Sequence, residues 1–166
     1  MGRLFTLRDE DFHAWTQEQA TALRQAAESR INLPVDWENL AEEVEEMGGQ
    51  LRTEIASALA RIIEHLLKLE HSHAADPRRG WVNSVLEHRD RIALLLEDSP
   101  SLRRHMDDLL VRGWKHGRKY ALRGLAQDEI GDKDLPALCP YRLDEVLDDG
   151  WWPENRHGLP PVEAIS

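Results

Sequence analysis

The sequence predicts an all-α protein: a single-domain bundle of about five helices, with an extended C-terminal segment and one short helix packed across it. Three observations carry that prediction. Apolar residues recur at helical spacing through almost the whole chain. Proline- and glycine-containing breaks at Asn32-Leu33-Pro34, Ala74 to Gly80 and Ser99-Pro100-Ser101 cut this pattern into helix-length pieces. A chain of 166 residues, 41% hydrophobic and 31% charged, is long and apolar enough for one real core. The domain spans 1–166, with the core over about 9–154 and a polar tail at 155–166.

The first helix starts near Asp9, with acids in its first turn as the helix dipole favours, and buries Phe12, Trp15, Ala22, Leu23 and Ala26. Asp36 is a good N-cap for the second. That helix packs six carboxylates into the twelve residues Asp36 to Met47, yet keeps Trp37, Leu40, Ala41, Val44 and Met47 at helical spacing. Glycine is poor inside a helix, so Gly48-Gly49 is expected to end or kink it. From Gln50 to His71 a narrow stripe of Leu51, Ile55, Leu59, Ile62, Ile63, Leu66 and Leu67 marks the clearest helix of the chain.

A fourth helix runs from about Trp81 to Glu97, burying Val82, Val85, Leu86, Ile92, Leu95 and Leu96. The fifth, about Leu102 to Leu125, carries Gly113 and Gly117 on its apolar side, where small residues let another helix come close. After Gly131 the chain reads as extended through Leu135 to Pro140, then forms a short helix from Leu143 to Leu147. Trp151-Trp152 is too much apolar area to leave in water and is expected to dock on the helices.

Charge and composition exclude several functions. A formal net charge of −10 disfavours general binding to nucleic-acid backbones. One cysteine, Cys139, forbids an intrachain disulfide and a Cys-rich zinc site, and fits a reducing compartment. No signal peptide or membrane span is legible, and the match of Gly2 and Thr6 to a myristoylation pattern is read as chance. The expected location is the cytoplasm.

Several pieces occur together in one order. They are Asp11-Phe12-x-x-Trp15, the run Asp36 to Gly48, His65-Leu66-Leu67-Lys68, Trp81, and Arg89-x-Arg91-Ile92 through Asp98-x-Pro100-Ser101-Leu102. Cys139-Pro140-Tyr141-x-Leu143, Val146-Leu147-Asp148 and Trp152-Pro153 close the series. This order resembles the bacterial family known as domain of unknown function 29, over about residues 9 to 154. The resemblance implies an all-α fold and a bacterial intracellular setting. It implies no established activity and no catalytic residue.

The residues themselves offer three candidate sites. Arg89 falls on the apolar stripe of its helix and needs a partner, which carboxylates at Glu38, Glu42, Glu45 or Glu46 can supply. Structural pairing of two helices, a polar ligand or metal pocket, and a solvated acidic face all remain open there. A working site between the acidic helix and the His65 helix would use Glu42, Glu43, His65 and Lys68, with Arg89 as an anion clamp. Metal is not favoured: His71-x-His73 with Asp76 lacks a third histidine at a telling distance.

Arg112, Lys115, Arg118, Lys119 and Arg123 form a basic patch on the fifth helix that can grip a polyanion or offset the acids elsewhere. No nucleophile arrangement, phosphate loop or cofactor motif appears. The leading expectation is therefore a non-catalytic interaction or regulatory protein that self-associates or binds a protein partner. An enzyme or ligand binder, and nucleic-acid binding through the basic helix, are the alternatives.

Overall fold

The structure is a computed structural model that describes residues 7–29 and 33–165. The Gly2 and Thr6 pattern and Asn32 lie outside them. Among the described residues every regular element is helical, so the chain is all-α. Helix α1 spans Phe12–Glu28 and opens on Asp11, whose side chain accepts the Ala14 N–H at 2.8 Å.

Helix α2 spans Trp37–His71. It therefore runs straight through Gly48-Gly49, where the sequence suggested an end or a kink. The physical reason is packing. Gly48 is buried against α1, and a Cβ there would collide with the Thr16 hydroxyl. The glycine costs roughly 1 kcal/mol of helix propensity and is there for close approach, not for termination.

Helix α3 spans Arg78–Asp98, starting three residues earlier than expected. A 3-10 turn at Pro100–His105 then precedes α4, Met106–Leu125, so the expected single helix from Leu102 is two elements. Helix α5 is Leu143–Leu147, as read from the sequence, and short 3-10 turns occupy Ala126–Asp128 and Val162–Ala164.

The chain divides into two compact units: Met1–Glu54 with Leu94–His105, and Ile55–Ala93 with Met106–Ser166. In the first, α1 buries His13, Thr16 and Ala20, while Ala41 and Gly48 of α2 face inward with Leu95, Leu96 and Leu102. Asp11 ties this unit together. Besides capping α1, its carboxylate accepts the Ser101 backbone N–H at 2.6 Å and the Ser101 hydroxyl at 2.8 Å.

The second unit is built round residues 55–71 of α2. Ile55, Leu59, Ile62, Ile63, Leu66 and Leu67 are fully buried there, each contributing about 1.5–3 kcal/mol. Helix α4 lies hard against this segment. Cβ atoms added at Gly113 and Gly117 would come within 2.8 Å of Leu59 and 2.6 Å of the Ala60 carbonyl. The small residues at that spacing thus serve the close approach read from the sequence.

Candidate functional site

The expected site residues are divided between the two units. Glu42 and Glu43 are exposed on the first unit; His65, Lys68 and Arg89 belong to the second. Positions 42 and 65 belong to the same helix, α2. The two helices that were to frame a polar site are one helix. The counter-ion of the acidic row is Arg24 of α1, which sequence reasoning missed. Its guanidinium sits 2.6 Å from Glu45 and 3.7 Å from Glu38. Glu42, Glu43 and Glu46 make no hydrogen bond or ion pair among the described residues.

Among the described residues Arg89 finds no carboxylate at hydrogen-bonding distance. Its Nε donates to the Val146 carbonyl at 2.9 Å, and Nη2 donates to the carbonyls of Trp151 at 3.1 Å and Glu145 at 3.3 Å. The guanidinium also lies 4.7 Å from the centroid of Trp152. Arg89 therefore gathers the orphan carbonyls at the end of α5 and seats the tryptophan pair. Only Nη1 is left without a partner. Burial lowers its pKa, while Asp149 and Asp148 act the other way.

Around His65 the organising group is Glu64, which the sequence reading passed over. Its buried carboxylate accepts Lys68 Nζ at 2.6 Å and Arg61 Nη1 at 2.8 Å. Burial works to raise the Glu64 pKa, but these hydrogen bonds outweigh it and hold the group below its ordinary value. The two cations continue onto aromatic rings: Arg61 lies 5.0 Å from Tyr120 and Lys68 6.0 Å from Trp81. Burial, reinforced by Lys68, Arg61 and His88 and opposed by Glu64, pushes the His65 pKa down to about 4. The ring is neutral at pH 7, and its Nδ1 is buried without a partner.

The end of α2 is held by the C-terminal segment. Glu70 accepts the Tyr141 hydroxyl at 2.6 Å and Arg156 Nη2 at 2.8 Å, and its backbone carbonyl takes the Arg156 N–H at 2.8 Å. Asn155 donates to the carbonyls of Leu69 and Ser72, both at 2.8 Å, and the buried Arg78 donates to Leu69 at 2.9 Å. These groups satisfy the carbonyls that a helix terminus leaves open. Nothing in the sequence advertised the Tyr141, Asn155 and Arg156 contacts, because those partners lie more than seventy residues apart. Cys139 is half-buried nearby, its thiol donating to the Tyr141 carbonyl at 3.4 Å, and burial pushes its pKa up.

The first unit holds the residue types of a nucleophilic triad in another order. Ser101 sits between Asp11 and His13, and His13 Nδ1 lies 3.0 Å from the Ser101 oxygen. Arg52 donates to His13 Nε2 at 3.4 Å, so the proton sits on Nδ1 and points at Ser101, whose own proton goes to Asp11. A base that donates to its serine cannot activate it. Burial and then Arg52 and His105 lower the His13 pKa, which keeps the ring neutral in this structural chain. His71 is buried and His73 meets His157 edge to face. Among the described residues no three His, Cys, Asp or Glu side chains are placed to hold a metal.

Comparison with known proteins now bears on the chain. The family model described as domain of unknown function DUF29 matches residues 7–152. The chain belongs to that family. The DUF29 chain is also similar to a crystal structure of an alpha-helical protein of unknown function from Rhodospirillum rubrum. The two share 26% identity with a TM-score of 0.67, over 87% of this chain and 90% of that one. No curated protein matches.

Two surfaces of the DUF29 protein remain uncommitted. On α4, Arg118 is spent internally on Asp132 and the Pro136 carbonyl, at 2.6 and 2.7 Å. Arg112, Lys115, Lys119 and Arg123 are exposed and make no ion pair among the described residues, beside Val111, which is 70% exposed. On α2, Leu40 and Met47 are 43% and 44% exposed and flank Glu43. Among the described residues no helix is long and apolar enough to cross a membrane.

Proposed function

We propose that this DUF29 protein is a non-catalytic protein-interaction module of the bacterial cytoplasm, and that the early part of α2 is its docking face. One observation carries the reading: Leu40 and Met47 stay open beside the unpaired carboxylates of Glu42, Glu43 and Glu46. A row of acids that merely solvated the helix would have no need of exposed leucine and methionine within it. The polar clusters around Glu64, Glu70, Arg89 and Ser101 point the same way. Their charges and protons are largely committed to the chain's own backbone and side chains. The lone cysteine suits a reducing compartment.

A photo-crosslinking amino acid at position 47, introduced in living cells, tests this. Adducts are expected at Met47 and absent at the exposed control position Glu18. Failure to form any protein adduct at 47 would sink the reading. The free cations of α4 support a second reading, binding of a polyanion, which predicts a mobility shift with RNA or DNA that disappears in moderate salt.

A further inference from the structure

We infer that the partner of the α2 face is the α4 face of a second copy of this chain, an inference that rests on the interaction reading just given. Both faces have the same build with opposite sign. On α4, Val111, Lys115, Lys119 and Arg123 follow one another every four residues, with Arg112 alongside, and all are exposed. On α2, Glu43 and Met47 are likewise four apart, next to Glu42 and Glu46 at the same spacing. Each row climbs its helix by about 6 Å per step, so the rows can keep register.

The pair Met47 and Val111 suits an antiparallel contact. Met47 closes its row at the C-terminal end, whereas Val111 opens its row at the N-terminal end. Laid antiparallel, Met47 meets Val111, Glu43 meets Lys115 and Glu46 falls beside Arg112, while Glu42 stands opposite His116, one turn from Lys119. A self-matched contact is disfavoured, because either face against its own copy sets like charges together. The net charge of −10 opposes approach at long range, but at about 0.15 M salt it is screened beyond roughly 8 Å while contact pairs persist.

Two copies can exchange these contacts reciprocally as a twofold dimer, or pass them head to tail into rings or open chains of copies. One helix pair per contact is a small interface, so the assembly is weak and concentration-dependent.

Sedimentation velocity on the full chain tests this with two charge-reversed variants, Glu43→Lys/Glu46→Lys and Lys115→Glu/Lys119→Glu. All four sites are exposed, so thermal melting should be unchanged and confirms that each variant folds. Wild type is expected to show species above monomer that grow with concentration. Each variant alone should associate about tenfold more weakly or worse, since two attractive pairs become repulsive. An equimolar mixture should recover association, because each variant then supplies the sign the other lacks. A wild type that stays monomeric overturns the inference, as does a mixture that fails to recover. If α4 instead shifts an RNA or DNA probe, and Lys115→Glu/Lys119→Glu abolishes the shift while wild type stays monomeric, its occupant is nucleic acid and the inference is wrong. Adducts at position 47 that contain a different protein overturn the second copy while leaving the interaction reading standing.

Discussion

Replacing Arg89 with methionine should destabilise the second unit by about 3 kcal/mol. Methionine keeps the apolar stem but removes two good charge-assisted hydrogen bonds, to Val146 at 2.9 Å and Trp151 at 3.1 Å. At about 1.5–3 kcal/mol each, these contribute about 4 kcal/mol, and the Trp152 ring adds about 1 kcal/mol. Against this, the variant no longer buries a guanidinium, which returns about 2 kcal/mol of desolvation. With a urea slope of about 2 kcal/mol per molar, the midpoint should fall by roughly 1.5 M. Tryptophan fluorescence should report the change, since Trp151 and Trp152 lose their anchor. Arg89→Lys should fall in between, because an ammonium cannot fork to separate carbonyls. A midpoint for Arg89→Met within about 0.3 M of wild type would refute the argument, as would an equal loss in Glu42→Gln/Glu46→Gln.

Three more outcomes are expected. Gly117→Ala should cost about 2 kcal/mol by melting, since its Cβ falls 2.6 Å from the Ala60 carbonyl and 2.8 Å from Ile63, whereas Gly80→Ala meets nothing within 4 Å and should stabilise α3 by up to about 1 kcal/mol. Acidification should destabilise: with the His65 pKa near 4 when folded and 6.5 when unfolded, the unfolded chain binds the extra proton between those values, so stability is full above about pH 6.5 and is lost as pH falls toward 4. Between pH 7.5 and 5 this amounts to about 2 kcal/mol by linkage, reduced to about 1 kcal/mol for a partly accessible ring; urea midpoints at the two pH values check it, and His65→Gln should flatten the difference. Tyr141→Phe should cost about 1 kcal/mol in urea denaturation, because Glu70 loses one donor and keeps Arg156.

Periodicity carried the fold. The stripe from Ile55 to Leu67 and the short helix at Leu143 to Leu147 were legible because local spacing decides them. Gly48-Gly49 misled because its helix cost is local and readable, while the Thr16 contact that requires it depends on where α1 lies. The polar sites were less legible for the same reason. Arg89 visibly needed partners, and carboxylates were the plausible choice. The actual acceptors are backbone carbonyls near Val146 and Trp151, which side-chain chemistry in a sequence does not display. Glu64 was passed over although Lys68 stands four residues on and Arg61 three before, a spacing that does signal pairing on a helix.

The half-buried thiol of Cys139 gives the molecule a built-in clock. Only a thiolate attacks an alkylating reagent, and a thiol whose pKa is pushed up by burial rarely becomes one. Reaction is expected to quicken whenever the segment around Tyr141 lifts away from Glu70 and frees the thiol from its partial burial. Because the chain has no other cysteine, one mass-spectrometric time course reads how often this C-terminal strap lets go.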